Sequence, residues 1–568
     1  LVVLDSSTTY DLNLAVDTNT TLDVQGVLRN AYNVTKSLPG TLQFSAKQYF
    51  NTGSNWLTVG AGKLVLNAGD NTLYPGRHLA VGAGATVELN GTTQTLGILA
   101  NPNNSTRIYT GGVVTNSSAT AANLVFNNSS SSFFGGVLSG NLSIQKAGGG
   151  YQVFSNPQTY TGSTLVTQNI LYLQDGGTLT STSGVAVNKA EFRIDNSATS
   201  SYQNISDRVN DAAPVTLSSG FLSFYGKVAA VSSETLGVTT LAGGVSDISS
   251  NAPTIVGLST VGSSTVLTLT DLVRSSTDAM LNTRGAAGGL GNNAARILIT
   301  SRETNPGLVN NLVGGWAIYG GADFLSYVPG RGLAALNATG YAGYDNNGLL
   351  AGATATQNIA LGSTQTVAAG GQAINALKFG GGYAVNFASG TDTLNIVSGG
   401  IVTSSSGTSI NTGRLTAGAL NATGLQNLYI HANSQNLALN ATIVDNSPTA
   451  PVRLVTAFYN ANGGVTMTAA NTYTGGTVFQ GWDTGATAHG ATLSGGYGVV
   501  VIPAGGLTIT NTTVTMTGNS GQIDPSNVVT INGSGTLSLF GSNTLAQLVF
   551  NNDGGSRTPF INTAGLLT

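Results

Sequence analysis

One polar segment occurs twice in this sequence, between short runs that are rich in Thr, Val and Leu. The copy at Asn471–Thr477 reads NTYTGGT, and the copy at Gln158–Thr164 reads QTYTGST. After the later copy the chain reaches a glycine-rich corner within Gly498–Thr510, GVVVIPAGGLTIT. A unit that is used repeatedly indicates a repeat protein, which grows in one dimension because each unit packs mainly on its neighbours.

Other pairs of segments give the spacing of the units. Leu57–Asn67 (LTVGAGKLVLN) and Leu79–Asn90 (LAVGAGATVELN) share a Val-Gly-Ala-Gly corner, and the corner valines lie 22 residues apart. Gly505 in PAGGLT and Gly535 in NGSGTL lie 30 residues apart, and we interpret them as equivalent corners. The pentapeptide LVFNN also recurs letter for letter, at Leu124–Asn128 and much later in the chain.

A period of 22 to 30 residues, built from short strands and Gly corners, predicts an all-β fold, a right-handed parallel β-helix. In such a solenoid each coil pairs with the coils above and below it, about 4.8 Å away. Inward Val, Leu, Ile and Phe form the core, outward Thr, Ser and Asn can form ladders, and corners use the positive φ that Gly and Asn tolerate. A propeller would repeat every 40 to 50 residues, and a sandwich array would break into units of about 100.

The regularity of the repeats divides the chain into three predicted parts. Residues 1–264 and 351–568 are predicted as β-helix coils. Residues 265–350 are predicted as an irregular insertion that packs on the coils, because aromatic residues concentrate there and the strand pattern weakens.

Val185–Ile194 (VAVNKAEFRI) illustrates the alternation expected of a half-buried strand. Lys189, Glu191 and Arg193 alternate with apolar residues such as Phe192. We therefore predict one continuous strand with its ions on the solvent face.

Composition excludes several classes of protein. Charged residues make up 8% of the 568 residues and the net charge is -3, so no basic face is available for nucleic acid. The chain has no cysteine, which removes disulfides and thiolate metal sites, and it has no apolar run long enough to span a membrane as a helix. Because it begins at Leu1 rather than Met, we expect it to be a piece of a longer product.

Ionisable residues give only weak signals of a catalytic or metal site. Four carboxylates recur every six residues and suggest a cation site on one face, but polar turn residues explain them better: Asp5, Asp11, Asp17 and Asp23. The cluster of Asp207, Arg208 and Asp211 is interpreted as a solvated loop. The histidines share no ligand spacing and are interpreted as surface or loop residues: His78, His431 and His489. We therefore predict no catalytic residue, metal or cofactor.

The aromatic residues of the predicted insertion are the best candidates for contact with a ligand, because exposed rings can stack on sugars. These residues are Trp316, Tyr319, Phe324, Tyr327, Tyr341 and Tyr344. Packing of the insertion against the coils is the alternative, since large aromatic side chains are on average highly buried.

The repeated segments resemble the autotransporter-associated β-strand repeat family. The family pattern, a Gly-rich strand, a polar N-T-Y-T-G-G-T turn and a strand that closes on a Gly corner, maps onto Gly463–Gln480. It maps onto Gly140–Leu173 with a departure at Lys146–Tyr151, where KAGGGY replaces the usual strand. The resemblance implies a secreted or surface-displayed bacterial β-helix, and it carries no catalytic residues.

The preferred functional prediction is a non-enzymatic structural protein of the cell exterior, which assembles with copies of itself into a fibre, sheath or surface layer. Open β-helix ends favour assembly, and neither the apolar Leu1–Leu4 nor the uncharged Ile561–Thr568 blocks an end with charge. The alternative is a surface adhesin that binds glycans or matrix through the aromatic insertion. A carbohydrate-active β-helix enzyme is less favoured, because Asp and Glu are scarce.

Overall fold

The structure, a computed structural model, describes residues 10–29, 31–50, 55–102, 110–197, 203–252, 262–285, 289–433, 436–460, 462–482 and 490–568. Within these ranges nearly all regular structure is β-strand, and the helical segments are two 3-10 turns, Thr300–Arg302 and Asn346–Gly348. In the part of the chain so described, no helix has the length and apolar character needed to cross a membrane.

The first strands run in chain order as β1 Tyr10–Ala15, β2 Thr21–Val24, β3 Ala31–Ser37, β4 Thr41–Phe44, β5 Trp56–Val59, β6 Gly62–Leu66, β7 His78–Val81, β8 Ala85–Glu88, β9 Thr93–Leu96, β10 Leu99–Ala100, β11 Val113–Asn116, β12 Ala122–Asn127, β13 Ser132–Phe134, β14 Val137–Gly140, β15 Leu142–Ala147, β16 Gln152–Phe154, β17 Thr159–Tyr160, β18 Thr164–Val166, β19 Ile170–Leu173, β20 Val185–Asn188, β21 Glu191–Asp195, β22 Val215–Ser218, β23 Phe221–Tyr225, β24 Val231–Leu236, β25 Thr239–Gly243, β26 Val245–Asn251, β27 Ser264–Leu269 and β28 Leu272–Arg274.

The later strands are β29 Met280–Gly285, β30 Ala295–Ile299, β31 Ala317–Tyr319, β32 Asp323–Val328, β33 Gly332–Ala335, β34 Asn358–Leu361, β35 Gln365–Val367, β36 Gln372–Ile374, β37 Ala376–Phe379, β38 Ala384–Phe387, β39 Thr393–Ile396, β40 Gly400–Thr403, β41 Thr408–Ile410, β42 Arg414–Ala417, β43 Gln426–Ala432, β44 Asn436–Leu439, β45 Thr442–Ile443, β46 Val452–Phe458, β47 Gly464–Met467, β48 Thr477–Gly481, β49 Gly490–Leu493, β50 Leu507–Thr510, β51 Thr513–Met516, β52 Val528–Asn532, β53 Thr536–Leu539, β54 Gln547–Asn551 and β55 Phe560–Thr563.

The chain forms two compact units. The first comprises Leu1–Leu217, Phe221–Thr240 and Ser250–Leu272, and the second comprises Ser218–Gly220, Leu241–Ser249 and Val273–Thr568. These bounds differ from the three predicted parts, whose division stays a prediction.

The second unit contains a parallel β-helix. Its strands contribute in turn to two parallel sheets of nine strands each, β34-β37-β40-β43-β46-β48-β50-β52-β54 and β35-β38-β41-β44-β47-β49-β51-β53-β55. A third sheet, β36-β39-β42-β45, closes the first four coils. Because each coil adds one strand to each sheet, the strand order describes nine successive coils, and the predicted fold class is confirmed.

The first unit also consists of stacked parallel strands, and it confirms the predicted 22-residue coil period. Val59 on β5 pairs in parallel with Val81 on β7, so the 22-residue spacing of the Val-Gly-Ala-Gly corners is one coil. Gly62 and Gly84, which end these corners, both have positive φ, 69° and 78°. A Cβ on Gly62 would lie 2.4 Å from the carbonyl oxygen of Gly40, so this corner has no room for a side chain.

The predicted 30-residue spacing between Gly505 and Gly535 is wrong as a coil period. Gly505 leads into β50 and Gly535 leads into β53, and these strands belong to different sheets. The partner of Leu507 in the next coil is Val529, 22 residues on. Similar Gly corners on different sheets therefore produced a false period.

Val185–Ile194 is also not one continuous strand. It forms β20 and β21, separated by a corner at Lys189, which has a φ of 54°. Lys189 is 7% exposed rather than solvated, whereas Glu191 and Arg193 alternate with the buried Phe192 as predicted. The corner was missed because no glycine marks it.

Columns of apolar side chains fill the interior of the coils. In the second unit Leu377, Ile401 and Ile430 occupy paired positions of three successive coils, and all three are fully buried. They belong to one continuous apolar cluster that extends from Leu350 to Leu539. Stacked burial of this kind supplies the hydrophobic stabilisation of a solenoid.

Two antiparallel pairings interrupt the parallel pattern in the mid-chain region, whereas β27 and β29 there still pair in parallel with β24 and β31. Ala317–Tyr319 pairs antiparallel with Asp323–Val328, which in turn pairs antiparallel with Gly332–Ala335. This meander lies in the second unit, where it positions the aromatic residues singled out in the sequence.

Candidate functional site

The aromatic residues predicted to contact a ligand are largely covered by protein. Phe324 and Tyr327 on β32 are buried, with exposed fractions of 0% and 1%. The remaining residues are partly buried: Trp316, Tyr319, Tyr341 and Tyr344. Phe324 and Tyr327 therefore present no open ring face, and ligand contact by the other four stays a prediction.

An apolar layer within the second unit accounts for this burial. Ile318 and Phe324 of the meander belong to one buried cluster with Val402, Tyr429 and Val455, which lie on β40, β43 and β46. Trp316 and Tyr344 pack against the same cluster. The meander thus covers one face of the nine-stranded sheet, in the packing role that the sequence left open as the alternative.

A partly buried ion pair connects the meander to β37. Lys378 on β37 pairs with the carboxylate of Asp323, and its ammonium lies 5.3 Å from the ring centre of Tyr344. The Tyr344 hydroxyl donates to Asp323 Oδ1 at 3.2 Å and accepts the Phe324 N–H at 3.3 Å. Burial, reinforced by the Asp323 charge, raises the pKa of Tyr344 well above its ordinary value, so the phenol stays protonated.

Arg274 forms a second fastening in the same unit. Its guanidinium lies 4.4 Å from the ring centre of Trp316 and 5.5 Å from that of Tyr429. The Tyr429 hydroxyl accepts from Arg274 Nη2 at 3.1 Å and donates to the Thr277 carbonyl at 2.8 Å. Trp316 thus packs on the arginine while its side chain stays partly exposed.

His431 forms a third fastening and corrects its interpretation as a surface histidine. It is fully buried on β43, and its Nε2 donates to the Gly315 carbonyl at 2.8 Å. Because a carbonyl oxygen only accepts, Nδ1 is the unprotonated nitrogen and accepts the Tyr459 hydroxyl at 2.6 Å. Burial lowers the pKa of His431 to about 4, so the imidazole is neutral near pH 7.

The other two histidines differ from each other. His78 is also buried, on β7 beside Trp56, with ring centres 4.9 Å apart, and burial lowers its pKa. The surface interpretation is therefore wrong for His78 too, because a strand position and an aromatic neighbour cover the ring. His489 lies outside the described residues.

Asp247 is the most deeply buried carboxylate of the second unit. It is 0% exposed and accepts from Asn282 Nδ2 at 2.6 Å and from Arg284 Nη2 at 2.9 Å. The Arg284 guanidinium lies 5.0 Å from the ring centre of Trp482, which packs edge-on against Tyr459 at 5.3 Å. These polar groups hold one another in fixed positions, which suits a structural role.

The predicted solvated loop around Arg208 is wrong at its central residue. Arg208 is fully buried in the first unit, and its guanidinium donates to Asn196 Oδ1 at 2.7 and 2.8 Å and to the Gly177 carbonyl at 2.6 Å. The N–H groups of Arg208 and Val209 donate to the buried Glu234 carboxyl at 2.8 and 2.9 Å. Burial raises the pKa of Glu234 to about 8. Only the flanking carboxylates at 207 and 211 are exposed.

The six-residue series of aspartates does not form one face. Asp11 lies on β1 and Asp23 on β2, strands of different sheets, and Asp17 lies in the turn between them. Asp11 accepts from Asn33 Nδ2 at 3.1 Å and Asp23 from Ser45 Oγ at 2.7 Å. Asp5 lies outside the described residues. In those that are described, no three His, Cys, Asp or Glu side chains come together as ligands of a metal ion.

The repeated polar turn has an internal structural use in both copies. Tyr473 is buried, with its hydroxyl 2.6 Å from Thr477 Oγ1, and Tyr160 is buried, with its hydroxyl 2.5 Å from Thr164 Oγ1. Asn471 Oδ1 accepts the Ile443 N–H at 2.8 Å from the preceding coil. The motif therefore satisfies buried polar groups at a corner of the coil in both copies.

Stacked parallel coils with a filled interior define a β-solenoid protein, in which Phe324 of the predicted aromatic site belongs to a buried packing layer. Comparison with known proteins gives no match, neither to a family model, nor to a curated protein, nor to a solved structure. The resemblance to the autotransporter-associated repeat family stays a prediction.

Proposed function

We propose that this chain is a non-enzymatic bacterial structural protein, secreted or displayed on the cell surface, that assembles with copies of itself into a fibre, sheath or surface layer. The observation that carries the proposal is the nine-coil parallel stack of the second unit with an uncharged ladder on its outside. The resemblance of the NTYTGGT segments to a family of secreted repeat proteins supports the location.

The ladder consists of side chains at matching positions of successive coils. Asn411 Nδ2 donates to Asn386 Oδ1 at 2.7 Å, Asn440 Nδ2 lies 3.4 Å from Asn411 Oδ1, and Thr468 Oγ1 donates to Asn440 Oδ1 at 2.8 Å. A straight row of amides and hydroxyls offers hydrogen bonds to a like row. The low share of charged residues, 8%, reduces repulsion between neighbouring copies.

The last coil, which contains β54 and β55, exposes apolar side chains that a further strand would cover. Among the described residues, β54 pairs with β52 and β55 pairs with β53, each on one side. Phe560 is 57% exposed and Leu566 is 67% exposed there. A parallel strand added to the edge of this coil, from whichever polypeptide, would pair its backbone groups and cover these side chains.

Electron microscopy and sedimentation velocity at rising protein concentration test the proposal. We expect ordered assemblies, which are lost in the double variant Asn411→Asp/Asn440→Asp, because two carboxylates one coil apart repel a like row. The matched control is Thr391→Asp/Thr423→Asp, which adds the same charge at exposed turn positions of the same unit. A chain that stays monomeric at all concentrations would contradict assembly.

The non-enzymatic part of the proposal has its own assay. Incubation with neutral and acidic polysaccharides is expected to release no new reducing ends. Release of fragments by the purified chain would overturn this part and favour the carbohydrate-active enzyme instead.

A further inference from the structure

The outer face of one sheet in the first unit carries an aromatic strip that the candidate residues of the sequence did not include. The strip consists of Phe133, Tyr151, Tyr172, Glu191, Arg193 and Tyr225. Strands β13, β16, β19, β21 and β23 are consecutive neighbours in this sheet. Since alternate residues of a strand point to opposite faces, and Phe134, Phe154, Leu173 and Phe192 are buried in the interior, the strip residues point outward.

The register places three strip residues, Phe133, Tyr172 and Arg193, in one column across the strands, and the other three lie two residues to either side of it. Phe133 pairs with Val153, Val153 with Tyr172, Tyr172 with Arg193, and Arg193 with Ser223. Val153 and Ser223 point outward and are nevertheless only 2% exposed. The longer side chains around them therefore cover them and form a second layer on the sheet.

Contacts between rings make this layer continuous. Tyr151 packs edge-on against Phe133 at 5.9 Å and against Tyr172 at 5.3 Å between ring centres. The Arg193 guanidinium lies 4.9 Å from the ring centre of Tyr172 and 5.0 Å from that of Tyr225. Interlocked rings lose little conformational freedom on binding, so the strip is pre-organised for a ligand.

The charges of the strip neutralise each other. Arg193 donates to both oxygens of Glu191, at 2.7 and 2.9 Å, while 23% of the arginine and 17% of the glutamate side chain stay exposed. A bidentate pair of this kind fixes the carboxylate and leaves acceptor positions on its oxygens. A further carboxylate on this face of β21, that of Asp195, is only 6% exposed and accepts the Ser197 N–H and hydroxyl at 2.8 and 2.7 Å, so the more exposed charges of the strip cancel.

Two phenol hydroxyls of the strip are available to a ligand. Within the described residues, the Tyr151 and Tyr172 hydroxyls have no protein hydrogen-bond partner, although both rings are fixed by their neighbours. Burial of the ring raises the pKa of Tyr172, which keeps its hydroxyl a donor at neutral pH. Each tyrosine thus combines an apolar ring with an open polar end.

The size and shape of the strip argue against a large protein partner and against an enclosed small molecule. Five strands about 4.8 Å apart span roughly 19 Å, and the outward positions extend about 13 Å along each strand. That area, roughly 250 Å², is well below the ~800 Å² that each partner buries in a stable protein complex. Because the strip is a flat outer face, it also does not enclose a small molecule as a pocket does.

We propose that this strip binds a segment of a neutral polysaccharide that lies across the coils. The C–H faces of successive sugar rings stack on Tyr172 and its neighbouring rings. The sugar hydroxyls hydrogen-bond with the two open phenols and the Glu191 carboxylate. A narrow, uncharged, hydroxyl-rich polymer matches the shape, neutrality and alternating polarity of the face.

Affinity electrophoresis of the full chain tests the proposal, with gels that contain mixed-linkage β-glucan, mannan or dextran as neutral probes and alginate as an anionic one. We expect at least one neutral polysaccharide to retard the chain. Tyr172→Ala is expected to weaken that binding roughly tenfold. The matched control is Tyr49→Ala, because Tyr49 is a 47% exposed tyrosine of the same unit that pairs with Tyr74 and Arg29 off the strip.

Several outcomes would overturn the proposal. These are no retardation by any neutral probe, retardation by alginate alone, and equal loss in Tyr172→Ala and Tyr49→Ala. Circular dichroism and thermal melts establish that each variant is folded, and Tyr151→Ala supplies a second strip variant with the same expectation. Sedimentation of Tyr172→Ala is expected to match the unmodified chain, so failure of glycan binding and failure of self-assembly are separately visible.

Discussion

The molecule contains two groups of aromatic residues that differ in how they are distributed along the chain and in whether they reach a core. The group at 316–344 is dense in the sequence, and the meander it belongs to packs on a sheet of the second unit, with Phe324 fully buried. The strip of the first unit is spread from Phe133 to Tyr225, about one aromatic residue per coil, and lies on an outer face. Aromatic residues that are close together in the sequence thus contribute to a local core in the second unit. Aromatic residues that repeat at the coil period form a row on the surface of the first unit.

The physical reason lies in the geometry of a solenoid. Residues close in sequence can bury one another only by folding back, as the antiparallel meander does. Residues one coil apart are about 4.8 Å apart in space. They form a row on the inner or the outer face, because alternate residues of a strand point to opposite faces. For a chain of this type, a search for surface sites is better directed at the coil period than at clusters in the sequence.

Removal of a ring from each group tests this comparison, and the largest effect is expected in the meander. Phe324→Ala is expected to lower the free energy of unfolding of its unit by about 3–5 kcal/mol, because it opens a cavity beside Gly400 that the packed layer cannot fill. Tyr172→Ala is expected to cost at most about 1.5 kcal/mol, since the ring is partly exposed. Urea denaturation followed by circular dichroism measures both, and a smaller loss for Phe324→Ala than for Tyr172→Ala would break the comparison.

The second largest effect is expected on acidification of the region around the buried His431. The pKa of His431 is about 4 when folded and near 6.5 when unfolded, so the folded state binds fewer protons between these values. The contribution of the neutral His431 to the free energy of unfolding is therefore fully present above pH 6.5. It falls by roughly 3 kcal/mol as the pH is lowered towards 4. Trp482, packed on Tyr459, is a fluorescence reporter of unfolding in this region.

The control for this pH dependence is His431→Gln, which does not titrate. The variant is expected to be less stable at pH 7, because the bonds to Gly315 and Tyr459 are disturbed, but to show a flatter dependence between pH 6.5 and 4. An unchanged acid slope in the variant would assign the loss of stability to other groups.

Much of the fold follows from local patterns in the sequence. The Val59 and Val81 corners gave the correct coil length, because Gly62 and Gly84 occupy equivalent positive-φ positions, which favour glycine, in two adjacent coils. The pattern misleads where a corner uses another residue, as at Lys189.

The polar interior was not predictable from the same patterns. Arg208 is solvated in the sequence-based prediction and buried in the structure, because its guanidinium finds Asn196 and, 31 residues away, the Gly177 carbonyl. His431 likewise finds Gly315 across 116 residues. Hydrogen-bond partners that meet only because coils stack are not marked by any local sequence pattern. The buried charges and the aromatic strip could therefore be found only from the three-dimensional structure.

The repeated polar turn allows the two units to be compared through one shared feature, with an effect of moderate size. Tyr473→Phe removes the bond to Thr477, for which no other hydroxyl partner is described, and is expected to cost about 1 kcal/mol. Tyr160→Phe is expected to cost less, because Thr164 keeps the Thr182 hydroxyl at 3.1 Å. Hydrogen–deuterium exchange of the turn peptides measures each locally, and a larger loss at Tyr160 would contradict this account.

The smallest effect on stability is expected within the strip itself. Arg193→Lys keeps a positive charge near Glu191 but loses the bidentate fork and the planar contact with Tyr172 and Tyr225. Because the pair is partly exposed, the free energy of unfolding is expected to fall by only about 0.5–1 kcal/mol, which thermal melts can resolve. A loss as large as that of Phe324→Ala would mean that the strip is part of the core of the first unit, and its availability to a ligand would then have to be abandoned.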